Sequence, residues 1–202
     1  MEFWDIYDAD KKPTGRTMKR NDWCLKDGEY HLTVLGVVAR PDKTFLITKR
    51  VMTKAWAPGW WEVSGGAAQA GEGSREAVLR EVKEETGLTL TKYQFRGIVT
   101  FCSDEWEDEY MHLFTATEFE RRSQSDCGHE QVAKADCECP LYGELTECSE
   151  GTLEWVDKGE VLSLPTWEGD HLFLERLLSD DPQFFSLKVV YEGEHLAKWT
   201  FY

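Results

Sequence analysis

Positive charge is scarce in this chain: Lys and Arg number 23 against 38 Asp and Glu, leaving a formal net charge of -15. Binding to a nucleic-acid polymer relies on basic side chains neutralising phosphates, so that class of partner is excluded. Long apolar runs are also missing, and none approaches the ~18 residues of a bilayer-spanning helix. The start, Met1-Glu2-Phe3-Trp4-Asp5-Ile6, has neither the basic flank nor the apolar core of a secretory signal. A cytoplasmic location away from membranes is expected. Cysteine is sparse and unevenly placed, at 24, 102, 127, 137, 139 and 148. That pattern reads as reduced thiols, since 202 residues can bury a core without disulfide staples. Repeats and low-complexity tracts are absent. One domain over 1–202 is the default.

What is present alternates strands with helices. Residues 4–7 and 14–16 flank a polar turn and predict an N-terminal hairpin. The β-branched run Tyr30 to Ala39 and the segment Thr44 to Thr48 predict two core strands. An aromatic, glycine-rich loop with one brief strand follows at 55–66, then a helix over 74–86 that Gly87 ends in a left-handed conformation. Residues 94–103 and 109–119 read as paired strands around the acidic tip Asp104-Glu105-Trp106-Glu107-Asp108. The polar stretch at about 120–147 has no sustained period and reads as an inserted loop. A strand at 152–156, an amphipathic helix at 166–179 and a hairpin at 184–202 turning at Glu192-Gly193 complete the chain.

The helix carries the chemistry. At 100° per residue Glu81, Glu84 and Glu85 share one face, while Val78, Leu79 and Val82 lie on the other. Helical spacing gives Arg80 to Glu76 and Glu84 as a partner and leaves Glu81 and Glu85 with each other. Two unrelieved carboxylates at that spacing call for a hard divalent cation with oxygen ligands. A merely solvated acidic face is the alternative.

The wider pattern decides between them: Gly66, then Glu72, then Arg80-Glu81-Val82-Lys83-Glu84-Glu85-Thr86-Gly87-Leu88. At all nine specified positions this resembles the signature of the Nudix hydrolase superfamily. The resemblance implies an α/β/α sandwich around a central mixed sheet, dependence on Mg2+ or Mn2+, and hydrolysis of a nucleoside diphosphate linked to another group. It further implies Glu81 and Glu85 as metal ligands, Glu84 as a further ligand or assistant, Gly66 in the metal cradle, and Arg80 with Glu72 orienting Glu81. Glu81 could also accept the proton of the attacking water. Glu150 and Glu147 are candidates for a base or ligand outside the helix, with Glu105, Glu107 and Asp108 behind them. Lys49 and Arg50, ending a core strand, are candidate phosphate grips.

In the second half, Gly97 to Phe101, Glu150 to Val156, Leu164 to His171 and Phe184 to Ser186 resemble bacterial MutT/MutX-type 8-oxo-dGTP diphosphatases. That likeness implies Trp167 for stacking on a purine and Asp170 for reading a base edge. Thr166 capping the helix while Trp167 packs is the structural alternative. The N-terminal strand pair with Tyr30-His31-Leu32-Thr33 resembles Nudix proteins related to isopentenyl-diphosphate isomerase. Val63-Ser64-Gly65-Gly66 stands where that isomerase needs a cysteine, which disfavours isomerisation. The expected activity is a pyrophosphohydrolase of nucleoside triphosphates such as 8-oxo-dGTP. A hydrolase of another nucleotide conjugate, such as ADP-ribose or a dinucleoside polyphosphate, is the alternative, with a non-catalytic nucleotide-binding module behind it. Cys127, His129, Cys137 and Cys139 could bind Zn2+, but their spacings are tighter than the usual two-residue gap, so free thiols are the default.

Overall fold

The computed structural model describes residues 1–53, 57–121, 151–179, 181 and 183–202. Strand periodicity organises it. In β3 (Tyr30–Val38) the residues Tyr30, Leu32, Val34 and Val38 point to one face, while His31, Thr33, Leu35 and Val37 point to the other. The same division runs through β8 (Glu109–Arg121): Tyr110, Phe114 and Ala116 join the first face, Met111 and Leu113 the second. Two apolar cores result, one on each side of the sheet.

The large sheet has eight strands. It runs in the order β11 (His195–Phe201), β10 (Phe185–Glu192), β7 (Leu88–Ser103), β8, β3, β1 (Phe3–Tyr7) and β2 (Pro13–Lys19), with β6 (Ser64–Ala67) also paired to β3. Parallel pairing of β10 with β7 and of β3 with β8 combines with antiparallel neighbours, so the sheet is mixed. A second antiparallel sheet orders β5 (Trp61–Glu62), β4 (Thr44–Arg50) and β9 (Gly151–Asp157). Helix α1 (Ser74–Thr86) packs Ala77, Val78 and Val82 on the first core, and α3 (Glu168–Leu178) packs Phe173, Leu174, Leu177 and Leu178 on the second. The expected α/β/α layering around a mixed sheet is therefore present, with the N-terminal hairpin at one edge.

Helix α1 begins and ends as the sequence predicts. Gly87 has φ 74° and its N–H donates to the Lys83 carbonyl at 2.9 Å. Elsewhere the structure departs from the expectation. β7 starts at Leu88 rather than 94, because Leu88 and Leu90 are buried but register shifts at Leu90/Lys92 and Lys92/Tyr93 break the alternation that would reveal it. The second helix starts at Glu168 rather than 166: the Pro165 carbonyl accepts the Trp61 N–H at 2.9 Å, holding the preceding segment against β5. Thr166 consequently does not cap it, and its hydroxyl stands 3.2 Å from His171 Nε2. A short helix α2 (Lys158–Val161), unmarked by periodicity, follows β9. The stretch 122–150, most of the expected insertion, lies outside the described residues. Among the described residues no helix is long and apolar enough to cross a membrane.

Gly36 sets the distance between α1 and the sheet. A Cβ there would lie 2.6 Å from Val82 Cγ2 and 3.0 Å from Val78 Cγ2, and valine methyls on a helix have little rotamer freedom to yield. Gly36→Ala is expected to lower stability by about 1 to 3 kcal/mol in chemical denaturation. Adding Val82→Ala should recover part of that loss; a double variant less stable than the single one would reject the steric account.

Candidate functional site

Strand β6 and helix α1 meet where two glycines allow it. A Cβ on Gly65 would lie 2.1 Å from the Val34 carbonyl oxygen, and one on Gly66 would lie 2.7 to 2.8 Å from the carboxylate atoms of Glu81. The bare backbone thus lets the helix carboxylates reach the strand. The Gly65 N–H donates to Glu85 Oε2 at 3.2 Å.

Arg80 organises the rest. Its Nε and Nη2 donate to the two oxygens of Glu72 at 2.9 and 2.8 Å, a fork-to-fork pair. Nη1 donates to Glu81 at 2.7 Å and to Glu84 at 3.3 Å, and Nη2 also reaches the Ala67 carbonyl at 3.2 Å. These bonds, led by those to Glu72, hold the guanidinium's pKa above its ordinary value. Burial opposes ionisation of Glu72, but Arg80 and the Gln69 N–H bring its pKa below the usual range. Burial wins at Glu81 and raises its pKa despite Arg80.

Two helix pairings expected from spacing are corrected here. Glu76 turns away from Arg80 and accepts the Gly73 N–H at 2.8 Å, satisfying a free donor at the helix start. Glu81 is not left to Glu85, because the long Arg80 side chain reaches its immediate neighbour.

Glu81, Glu85 and the Gly66 backbone offer only hard oxygen donors, a set suited to Mg2+ or Mn2+ and not to a thiophilic metal. Glu84 is exposed beside them. Among the described residues no three acidic, His or Cys side chains converge as a ready cage.

On the opposite face of the sheet lies a cavity of about 470 Å3, whose lining includes Gly65 and Gly66. Trp167 and Asp170 line it, as does Arg50. Trp167 stands immediately before α3, its ring centroid 5.2 Å from that of Trp60 and 5.8 Å from that of Tyr191. Burial, reinforced by the nearby charges of Glu62 and Glu109, pushes the Asp170 carboxyl up to about 7, against a hydrogen bond from the Trp167 backbone. Arg50 donates through Nη1 to both oxygens of Glu62, at 2.8 and 2.7 Å. Successive strand residues face opposite ways, so Lys49 does not join it in the cavity lining: its ammonium stands 5.5 Å from the Trp61 ring centroid.

Sequence reasoning missed Glu109. It lines the cavity, burial pushes its pKa up to about 7, and its Oε2 is 3.8 Å from His31 Nε2. His31 is buried, pushed down to about 4, and stacked on Trp4 at 4.6 Å. The alternation of 30–38 could have placed His31 with Thr33, whereas Glu109 was hidden among the acids of the adjoining tip. Of those, Glu107 lines the cavity, Glu105 is exposed, and Asp108 accepts the Ser103 N–H at 3.1 Å. Glu147, Glu150 and the group Cys127, His129, Cys137 and Cys139 lie outside the described residues.

The raised Asp170 value has a stability consequence. The groups around it are Glu62 with its partner Arg50, Glu109 and Tyr191. Below about pH 4 Asp170 is protonated whether folded or not; between about 4 and 7 the unfolded chain releases its proton while the fold retains it, so stability falls. Asp170→Asn should match the parent near pH 4 and exceed it by on the order of 2 kcal/mol near pH 8. Equal stability of the two proteins across that range, by chemical denaturation, would reject the burial account.

Comparison with known proteins gives a consistent family. The NUDIX domain model matches residues 29–177. An uncharacterised Nudix hydrolase of Listeria innocua, lin0387, is 35% identical over 114 residues, 56% of this chain and 67% of that one. The nucleoside triphosphatase NudI of Salmonella heidelberg is 32% identical over 87 residues, 39% of this chain and 62% of its own. Among solved structures, the MutT protein of Bacillus halodurans superposes with a TM-score of 0.65 at 26% identity, covering 84% of this chain and 96% of that one.

Proposed function

The chain belongs to the NUDIX family of phosphoanhydride hydrolases, and from that premise we propose that it is a divalent-metal-dependent pyrophosphohydrolase of nucleoside triphosphates, oxidised ones such as 8-oxo-dGTP included. The observation that carries this reading is the Arg80 fork, which holds Glu81 against Gly66 while Glu85 is tied to the next backbone amide. The NudI and MutT likenesses support a nucleotide as the substrate.

In this reading Glu81 and Glu85, with the Gly66 backbone, hold Mg2+ or Mn2+, and Glu84 assists. The bound cation supplies neutralisation of phosphate charge and activation of water. Arg80 and Glu72 restrict the rotamers of Glu81, so the carboxylate needs no reorganisation when substrate arrives. Glu81 is the nearest group on the helix to accept the water proton, and Glu150 is the candidate from outside it. Arg50 approaches phosphate only by sharing its guanidinium with Glu62.

At the base end Trp167 and Trp60 offer ring faces for stacking. Asp170, near half-protonation at neutral pH, can either donate to a carbonyl or accept an N–H. An 8-oxopurine presents both groups on its five-membered ring, where the unmodified base presents a lone pair. A hydrogen-bonded edge discriminates better than an apolar wall does.

Glu81→Gln and Glu85→Gln should each lower kcat by about a hundredfold or more in product analysis over a nucleotide panel with Mg2+. Metal-dependent activity unchanged in both would remove the assignment. Asp170→Ala should narrow the preference for 8-oxo-dGTP over dGTP, and Trp167→Ala should raise KM for both. The substrate reading is abandoned if the parent protein cleaves 8-oxo-dGTP no faster than dGTP, or turns over ADP-ribose far more efficiently than either.

A further inference from the structure

The described cavity wall combines many ring faces with carboxyl groups that outnumber its basic side chains. Six tryptophans line it, Trp4, Trp23, Trp60, Trp61, Trp106 and Trp167. Among the described residues so do four carboxyl groups, Glu62, Glu107, Glu109 and Asp170, against one basic side chain, Arg50. Arg50 is engaged by both oxygens of Glu62. His31 does not supply a second cation. It is 7% exposed, burial favours its neutral form, and 3.8 Å to Glu109 is too long for a hydrogen bond. Its Nδ1 has no hydrogen-bond partner. Among the described residues, then, neither Glu109 nor Asp170 has a cationic side chain to pair with.

Enclosed carboxyl groups without a counter-ion resist ionisation, as the raised values of both groups reflect. A positively charged ligand would relieve them, and the electron-rich ring faces of tryptophan attract the same charge. A neutral base gains stacking and edge hydrogen bonds but no charge pairing. The six tryptophans spread over a 470 Å3 space present a wide flat area, which a planar heterocycle fills and a small ammonium ion does not.

Part of this wall lies outside the matched family region. Trp4 and Trp23 precede residue 29, where the match begins. Trp4 stacks on His31 with an interplanar angle of 16°, and Trp23 lies 6.1 Å from Trp106. Trp23 is 55% exposed and holds φ at 48°, a conformation uncommon for a bulky side chain, so its place at the rim is maintained against local preference.

We infer that the base end of the cavity binds a cationic nucleobase, a purine charged by N-alkylation, with tryptophan on its ring face and Glu109 and Asp170 meeting its charge. This deepens the pyrophosphohydrolase reading by naming a substrate class, alkylated nucleotides, and rests on that reading only for the phosphate end. Glu109 becomes a specificity-determining residue beside Asp170.

Free nucleosides separate the two, since they carry no phosphoanhydride and need no metal. Tryptophan fluorescence titration of the full chain with 7-methylguanosine against guanosine, and with 1-methyladenosine against adenosine, reads the effect of charge at nearly constant shape. Each methylated nucleoside should bind about tenfold tighter than its neutral parent, or better. Glu109→Gln and Asp170→Asn, each checked for an unchanged circular dichroism spectrum, should shrink that ratio to about threefold or less, through weaker binding of the methylated nucleoside. Equal affinity for charged and neutral nucleosides in the parent protein overturns the inference whatever its hydrolytic activity. So does choline binding as tightly as 7-methylguanosine, which would assign the site to a small quaternary ammonium. Loss of hydrolysis with the tenfold preference intact would instead count against the pyrophosphohydrolase reading alone.

Discussion

The arrangement of the acidic helix depends on one guanidinium. Arg80 spans three parts of the chain: Glu72 in the loop before α1, the Ala67 carbonyl at the end of β6, and Glu81 and Glu84 on its own helix. The pairs with Glu72 and Glu81 are largely shielded from solvent, the Glu84 partner is exposed, and the Ala67 contact is a hydrogen bond to a backbone carbonyl. Together they fix the loop, the strand and the helix against one another, and a planar fork does this where a lysine ammonium could not. The glycines complete the constraint from the other side. With any side chain at 66 the Glu81 carboxylate would be displaced, and with any at 65 the β6–β3 pairing would open, because the Val34 carbonyl occupies that space. The spacing from Gly66 to Glu72 to Arg80 to Glu81 is therefore the sequence image of one hydrogen-bond network.

That network was legible because it is local, lying between residues 66 and 85 with its partners in one helix and the loop before it. The fold was legible where periodicity is unbroken: β3, β4 and α1 follow their patterns closely. It was obscured where a bulge shifts the phase, as at Lys92, or where a backbone bond from a distant strand delays a helix, as Trp61 does through Pro165. The two mispaired glutamates show a further limit. Spacing rules describe which positions are neighbours on an ideal helix, whereas Glu76 found a free backbone donor in its own first turn and Arg80 reached sideways.

The cavity was less legible for a different reason. Trp167 immediately precedes α3 and Asp170 lies in its first turn, so a motif can carry them. Glu109, His31 and Trp4 converge only through sheet register: His31 lies opposite Glu109 in the parallel β3–β8 pair, and Ile6 opposite His31 in the pairing that brings β1 alongside. Register over such separations is a property of the assembled sheet. Once β3 is known to turn odd residues toward α3, however, the polar character of positions 31 and 33 becomes informative, because an ordinary core would fill them with apolar side chains.

The two ends of the site use the same functional group under opposite conditions. On α1 the carboxylates are partly open to solvent and held by a guanidinium or backbone amides, so negative charge there is stable and directed. At Glu109 and Asp170 burial resists ionisation, reinforced by the charge of Asp108 at Glu109 and by those of Glu62 and Glu109 at Asp170. The net acidity of the chain does not distinguish these cases; the local dielectric and the nearest donor do. A nucleotide bridging both ends, as proposed above, would bring a counter-charge to the helix through the cation that accompanies its phosphates, while the interaction at its base would be decided by the donors and charge of the ring itself. In the proposed function, catalysis and selection would fall on opposite faces of β6, and residues could change in the cavity without disturbing the Arg80 fork.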